Sequence, residues 1–140
     1  MEWKYGELTR RVIACAMEVH RVLGPGFPEY VYQRALKLEL DTNGVLAEPE
    51  YPLPLFFKKV QITTRRIDFL IEQLFGLELK AKSNLEPCDF VQALNYIKAW
   101  NLEFGMLINF GSSSLQFRRL DNRQFDTELA LQTGRPRCGQ

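Results

Sequence analysis

The sequence predicts a single α/β domain, a mixed sheet of about five strands flanked by helices. Two kinds of pattern and one quantity predict it. Apolar residues recur at helical spacing in three segments, and the period changes to two in the stretches that follow the second and third of these. The chain has 140 residues, 46% of them hydrophobic and 25% charged, which suits one ordinary globular core. By size scaling, a chain of 16.3 kDa buries about two-thirds of its unfolded surface, so no disulfide staple is required.

The first helix runs from Leu8 to Leu23, where Leu8, Val12, Cys15, Ala16, Val19, Val22 and Leu23 fall at helical spacing. Gly24-Pro25-Gly26 stops it, because Gly suits a C-terminal cap and Pro cannot continue a helix. Pro28 suits the first turn of a second helix, which passes Val31, Ala35 and Leu38 and ends near Asn43-Gly44. Tyr51 to Phe57 then reads as a strand, and Pro52 and Pro54 assign it to a sheet edge. Arg65 to Ile71 and Leu74 to Lys80 are two further strands around a tight turn at Glu72-Gln73. Pro87 opens a third helix with Phe90, Ala93, Leu94, Ile97 and Trp100 as its apolar stripe. Gly105 to Gly111 reads as a buried strand, and Leu115 to Leu120 as the last. The order is α-α-β-β-β-α-β-β. The domain is expected to span 1–120, with 121–140 a C-terminal extension whose TGRPRCGQ end frays.

Several function classes drop out. Three cysteines, Cys15, Cys88 and Cys138, form no C-x-x-C, and one histidine, His20, leaves little for zinc or a His-centred triad. Cys15 and Cys88 are expected as packing residues and His20 as a helix-terminal group favoured by the dipole. No apolar run is long enough for a bilayer, the first residues lack the order of a signal peptide, and unpaired cysteines suit a reducing cytoplasm. Gly24-x-Gly26 follows a helix rather than a strand, which rejects a dinucleotide fingerprint. Net charge is only +1, yet residues 58–82 hold six basic and three acidic groups. Such a local excess fits a phosphate-facing surface or an ordinary solvated strand edge. Phe56, Phe57, Phe69 and Phe75 sit on strands, where core packing is the default.

Asp68 interrupts the apolar strand Arg66-Ile-Asp-Phe-Leu-Ile71, and Glu78-Leu79-Lys80 lies on the next strand. Alternation puts Glu78 and Lys80 on one face, and a hairpin turning at 72–73 brings Asp68 near Glu78. Two carboxylates and a lysine are costly to bury unless something neutralises them. A hard divalent ion does so, and Mg²⁺ favours one or two carboxylates with waters and phosphate oxygens. Lys80 would then position the attacking water and stabilise charge on the phosphate. The alternative is a cross-strand ion pair on an exposed face, worth about 0.2–1 kcal/mol. Glu29, in the first turn of the second helix, could simply complement the helix dipole. Gln92 and Tyr96 share a face of the third helix and could simply bound its buried side.

Taken in order, Gly26-Phe-Pro-Glu29-Tyr-Val-Tyr32, Ile67-Asp68, Glu78-Leu79-Lys80, Gln92-Ala-Leu-Asn-Tyr96 and Gly105-Met-Leu-Ile-Asn-Phe-Gly111 form a recognisable set. The chain from Leu8 to Leu120 resembles the GxxExxY family, a branch of the PD-(D/E)XK nuclease superfamily. The resemblance implies a restriction-endonuclease-like core and a metal-dependent nuclease hydrolysing phosphodiester bonds in DNA or RNA. It implies Asp68 and Glu78 as metal-binding carboxylates, with the Leu79 carbonyl in the shell, and Lys80 as the catalytic lysine. Glu29 would be a further ligand or water orienter, and Gln92 and Tyr96 would support the site and contact nucleic acid. The expected ion is Mg²⁺, with Mn²⁺ as substitute. Ile67 stands where the superfamily's name has proline. A second reading keeps the fold as a non-catalytic module that binds nucleic acid or protein. A homodimer is the preferred expectation, because a domain this small often needs a second copy or a partner to grip a duplex.

Overall fold

The computed structural model describes residues 5–129. In chain order these form α1 (Gly6–Leu23), α2 (Glu29–Thr42), β1 (Ala47–Phe57), β2 (Val60–Ile71), β3 (Phe75–Lys80), α3 (Pro87–Ala99), β4 (Phe104–Asn109) and β5 (Gln116–Asp121). The eight elements follow the predicted order. The strands make one mixed sheet in the order β1-β2-β3-β4-β5. All neighbours are antiparallel except β3 and β4, which run parallel because α3 carries the chain back between them.

The sheet has a core on each side. Val12, Ala16, Val19, Leu36 and Leu40 of α1 and α2 pack with Phe69, Leu77, Leu79 and Ile108 on one face. On the other, Ile97 and the residues just past α3, Trp100 and Leu102, pack with Leu53, Ile67 and Leu70. This three-layer arrangement is an α/β core of restriction-endonuclease type.

Two departures from a regular sheet shape the site. First, β2 and β3 pair only through Phe69↔Leu77, Leu70↔Gly76 and Ile71↔Phe75, so beyond Phe69 the strands part. Second, β1 and β2 change phase together. Ala47 and Phe69 face α1 and α2, whereas Leu53 and Ile67 face α3, although alternation alone would keep all four on one side. The change falls at Glu50, whose φ is 52°, opposite Asp68. The register there passes from Pro49↔Phe69 to Tyr51↔Ile67 without pairing Glu50 to Asp68. A bulky residue in the left-handed region carries a backbone penalty of about 1 kcal/mol or more.

β1 starts at Ala47 and β2 at Val60, each earlier than the periodicity indicated, because the two strands form one long ribbon. Its tip is a two-residue turn between paired Phe57 and Val60, with both Lys58 and Lys59 at positive φ. β1 is an edge strand, as Pro52 and Pro54 predict.

Some expectations fail locally. Val22, Leu38 and Phe57 are exposed, Phe57 because it sits at the ribbon tip. Cys88 is exposed rather than a packing residue, since in the first turn of α3 it is the adjacent Asp89 that is buried. Pro28 is the N-cap of α2 rather than its first helical residue, and α3 ends at Ala99, with buried Trp100 as its C-cap. Cys138 and residues 130–140 of the expected extension lie outside the described residues.

Behind β3 and β4, fully buried Asn109 closes a polar network. Its Oδ1 accepts from Lys82 N–H (3.0 Å) and Gly111 N–H (3.1 Å), while Nδ2 donates to the Lys82 carbonyl (2.8 Å) and Gln116 Oε1 (2.9 Å). Gly111 permits this close approach, because a Cβ there would collide with the Lys82 backbone and lie 2.6 Å from Ala81 C. Gly111→Ala should therefore destabilise the domain by about 2–4 kcal/mol, read as a lower midpoint in urea unfolding. An unchanged midpoint would mean that the Lys82 segment yields freely.

Candidate active site

Glu78 and Lys80 project from β3 on the α3 side, with Leu77 and Leu79 turned to the opposite core. Asp68 meets β3 in the gap where the strands part. Its Oδ2 accepts a hydrogen bond from Leu79 N–H at 2.8 Å, taking the place of a ladder bond. The predicted cross-strand approach of Asp68 to the Glu78 segment is therefore present, by side chain rather than by backbone pairing.

The electrostatics are unusual for carboxylates. Burial pushes Glu78 up to about 8, and the neighbouring Asp68 charge adds to the shift while Lys80 opposes it. Burial also pushes Asp68 up to about 6, against the Leu79 hydrogen bond and with Glu29 and Glu50 raising it further. Glu78 Oε1 is a buried oxygen with no hydrogen-bond partner among the described residues. Hard oxygen donors, mutual repulsion and an unsatisfied buried oxygen fit a divalent cation, which would satisfy all three at once.

Glu29 reaches the same region from the first turn of α2. Burial raises its carboxyl, Lys80 lowers it and Glu50 raises it. The turn before α2 is tied down by buried Tyr32, whose hydroxyl donates to the Gly24 carbonyl (2.5 Å) and accepts from Phe27 N–H (3.1 Å). Its ring stacks on Phe110 with centroids 4.8 Å apart. Gly26, at φ 112°, adopts a conformation closed to other residues and completes the turn. Gly26 and Tyr32 thus place Glu29.

On the other side, Gln92 Oε1 lies 3.5 Å from Lys80 Nζ, a long hydrogen bond linking α3 to β3. Tyr96 stands a turn further on. It stacks against Trp100 at 5.5 Å, and the Arg65 guanidinium lies over its other neighbourhood, 5.1 Å from the ring centroid. Arg65 also acts on Glu78, lowering its pKa. His20 lies in the last turn of α1, as expected, and its Nε2 sits 2.9 Å from the Ser112 carbonyl, a structural tie between α1 and the segment after β4.

Glu29, Asp68, Glu78, Lys80 and Gln92 are thus linked by hydrogen bonds or by mutual charge effects, with Tyr96 at the margin. The three carboxylates do not close into a tight triad. Among the described residues, the ligand-type side chains that do lie within 4.8 Å of one another are Glu86, Cys88 and Asp89. That cluster is already engaged: Glu86 and Asp89 form the capping box of α3, and Lys82 pairs with them at 3.4 and 3.0 Å. Sequence reasoning missed Glu50, held by Gln33 Nε2 (2.9 Å), which also donates to the Asp68 carbonyl (3.2 Å). It also missed Arg65 as a neighbour of Glu78. Only the change of strand phase brings either, still exposed, to the side of Asp68 and Glu78.

The sheet thus carries an acidic residue on β2 and Glu-x-Lys on β3, within an α/β core. A family model described as the PD-(D/E)XK nuclease superfamily matches residues 6–120, and the chain belongs to that superfamily. Its nucleases generally use divalent metal ions. The crystal structure of SSO0001 shares the fold with a TM-score of 0.53 at 15% identity, over 93% of this chain. This chain spans 65% of that protein's length. A search of curated proteins gives no match. No helix among the described residues is long and apolar enough to cross a membrane.

Proposed function

We propose that this protein is a Mg²⁺-dependent nuclease of the GxxExxY branch, acting on phosphodiester bonds in nucleic acid. The observation that carries the reading is the half-buried Asp68–Glu78 pair, with both carboxyls pushed up and the buried Glu78 Oε1 unpartnered among the described residues, beside Lys80. Asp68 and Glu78 would hold the ion, with the Leu79 carbonyl and Glu29 completing its surroundings. A divalent ion bound there supplies Lewis-acid charge at the scissile phosphate and eases ionisation of the attacking water.

The chain's own groups do the rest. Lys80 Nζ donates hydrogen bonds to the attacking water or to a phosphate oxygen, and its charge offsets the negative charge that develops there. Gln92 accepts from Lys80 and limits its swing. Arg65, over Tyr96, lies where a substrate phosphate would pass. Mn²⁺ would substitute for Mg²⁺, the setting would be cytoplasmic, and two copies would be needed to cut both strands of a duplex together.

The test is cleavage of duplex DNA, single-stranded DNA and RNA with Mg²⁺ or Mn²⁺ against a chelated control. Lys80→Met should lower the rate by about 10²–10³-fold while Mn²⁺ binding survives. Cleavage that ignores the ion, or that Lys80→Met leaves untouched, would defeat the reading.

A further inference from the structure

We propose that the free end of the β1–β2 ribbon, from Phe57 to Arg66, is a grip for duplex DNA that enters the major groove beside the site. The proposal rests on the nuclease reading for what happens at Asp68, but its own observations are separate. Every residue from Phe57 to Arg66 is exposed. The segment carries Lys58, Lys59, Arg65 and Arg66, and no acidic residue occurs from Tyr51 to Ile67. Among the described residues none of these four cations forms an ion pair. Lys58 and Arg65 rest against aromatic rings at 5.4 and 5.1 Å, and Arg66 Nη1 donates to the Glu50 carbonyl at 3.3 Å. Four cations outside any ion pair, one of which, Arg65, also feels the Glu78 carboxylate, complement a polyanion.

The shape agrees. Two strands lie about 4.8 Å apart, and with their side chains they make a ribbon about 10 Å wide. The major groove of B-DNA, about 12 Å wide, admits such a ribbon, whereas that of A-form RNA is too narrow. Asp68 lies nine residue steps along β2 from Lys59, about 30 Å of strand, close to one turn of B-DNA. The tip would engage backbone about one turn from the phosphate at Asp68. Phe57, Val60 and Ile62 at the tip are 61–64% exposed, which by itself would suit a second copy of the chain. The four cations per copy oppose that seam and favour phosphate, with the apolar groups meeting thymine methyls and base edges.

The test pairs the wild type with the double variant Lys58→Asn, Lys59→Gly. Asn-Gly is the sequence that a two-residue turn with positive φ at both positions prefers, so this variant keeps the ribbon folded while removing the charge. Binding would be read by fluorescence anisotropy in chelator, with a labelled DNA duplex of about two helical turns. The expected result is at least a tenfold loss of affinity and a salt dependence shallower by about two, with Mn²⁺ titration unchanged. An RNA duplex of the same sequence should bind more weakly and ignore the variant. Equal affinity and slope in both proteins would overturn the grip, as would a variant that only dissociates a dimer. Ribbon-dependent DNA binding without Mn²⁺ binding or cleavage would uphold the grip and sink the nuclease reading.

Discussion

Asp68→Asn should abolish divalent-ion binding and lower ion-dependent cleavage by at least about 10³-fold, while the domain stays folded. The substitution is close to isosteric, and an Asn oxygen can still accept from Leu79 N–H, the bond that spans the gap between β2 and β3. What disappears is the charge that would face the ion. Titration calorimetry with Mn²⁺ reads the first effect without any guess about substrate, and circular dichroism checks the fold. Cleavage at the wild-type rate would remove Asp68 from the machinery and return the pair to a structural role.

The second large effect concerns pH and stability without metal. Glu78 has its carboxyl pushed up to about 8, from an ordinary value of 4.5. The folded state therefore binds its proton more tightly than the unfolded chain does. Stability is fully present below pH about 4.5, falls as pH rises, and reaches its lower level above pH about 8. Asp68, pushed up to about 6, adds a decline at the acidic end of the same window. Glu78→Gln should abolish most of this slope and raise metal-free stability at pH 8 by about 3 kcal/mol, roughly 10 °C in Tm. Mn²⁺ should stabilise the wild type at that pH and leave Glu78→Gln largely unmoved. A flat wild-type profile between pH 5 and 8 would mean that water reaches Glu78 and that its burial is only partial.

Much of this was legible in the sequence. Glu78-Leu79-Lys80 obeys strict alternation, and the turn at Glu72-Gln73 sets the approach of Asp68, so local rules suffice for both. Gln92 is placed by its spacing on α3. The GxxExxY segment could be quoted but not explained, because the hydrogen bonds of Tyr32 to Gly24 and Phe27 depend on how α2 settles on Phe110. Glu50 and Arg65 were beyond reach for a different reason. Periodicity assumes that a strand keeps its phase, and the left-handed residue at Glu50 breaks it in two strands at once. Nothing in Ala47-Glu-Pro-Glu-Tyr-Pro announces that, since Glu is not a residue that marks positive φ.

Two of the three prolines on β1, Pro52 and Pro54, have a meaning beyond where they place the strand. A proline cannot donate to a neighbouring strand, so Pro52 and Pro54 must turn their nitrogens away from β2, toward the open side. An approaching chain would find two successive rungs without a donor. An unprotected border of 11 residues would be a template for runaway stacking, most of all while the ribbon is forming and its apolar tip is bare. Here composition seals the border, and no helix among the described residues covers it. The far end of the ribbon, exposed from Phe57 to Arg66, can reach into solution and remain a single molecule's arm rather than the first layer of an aggregate.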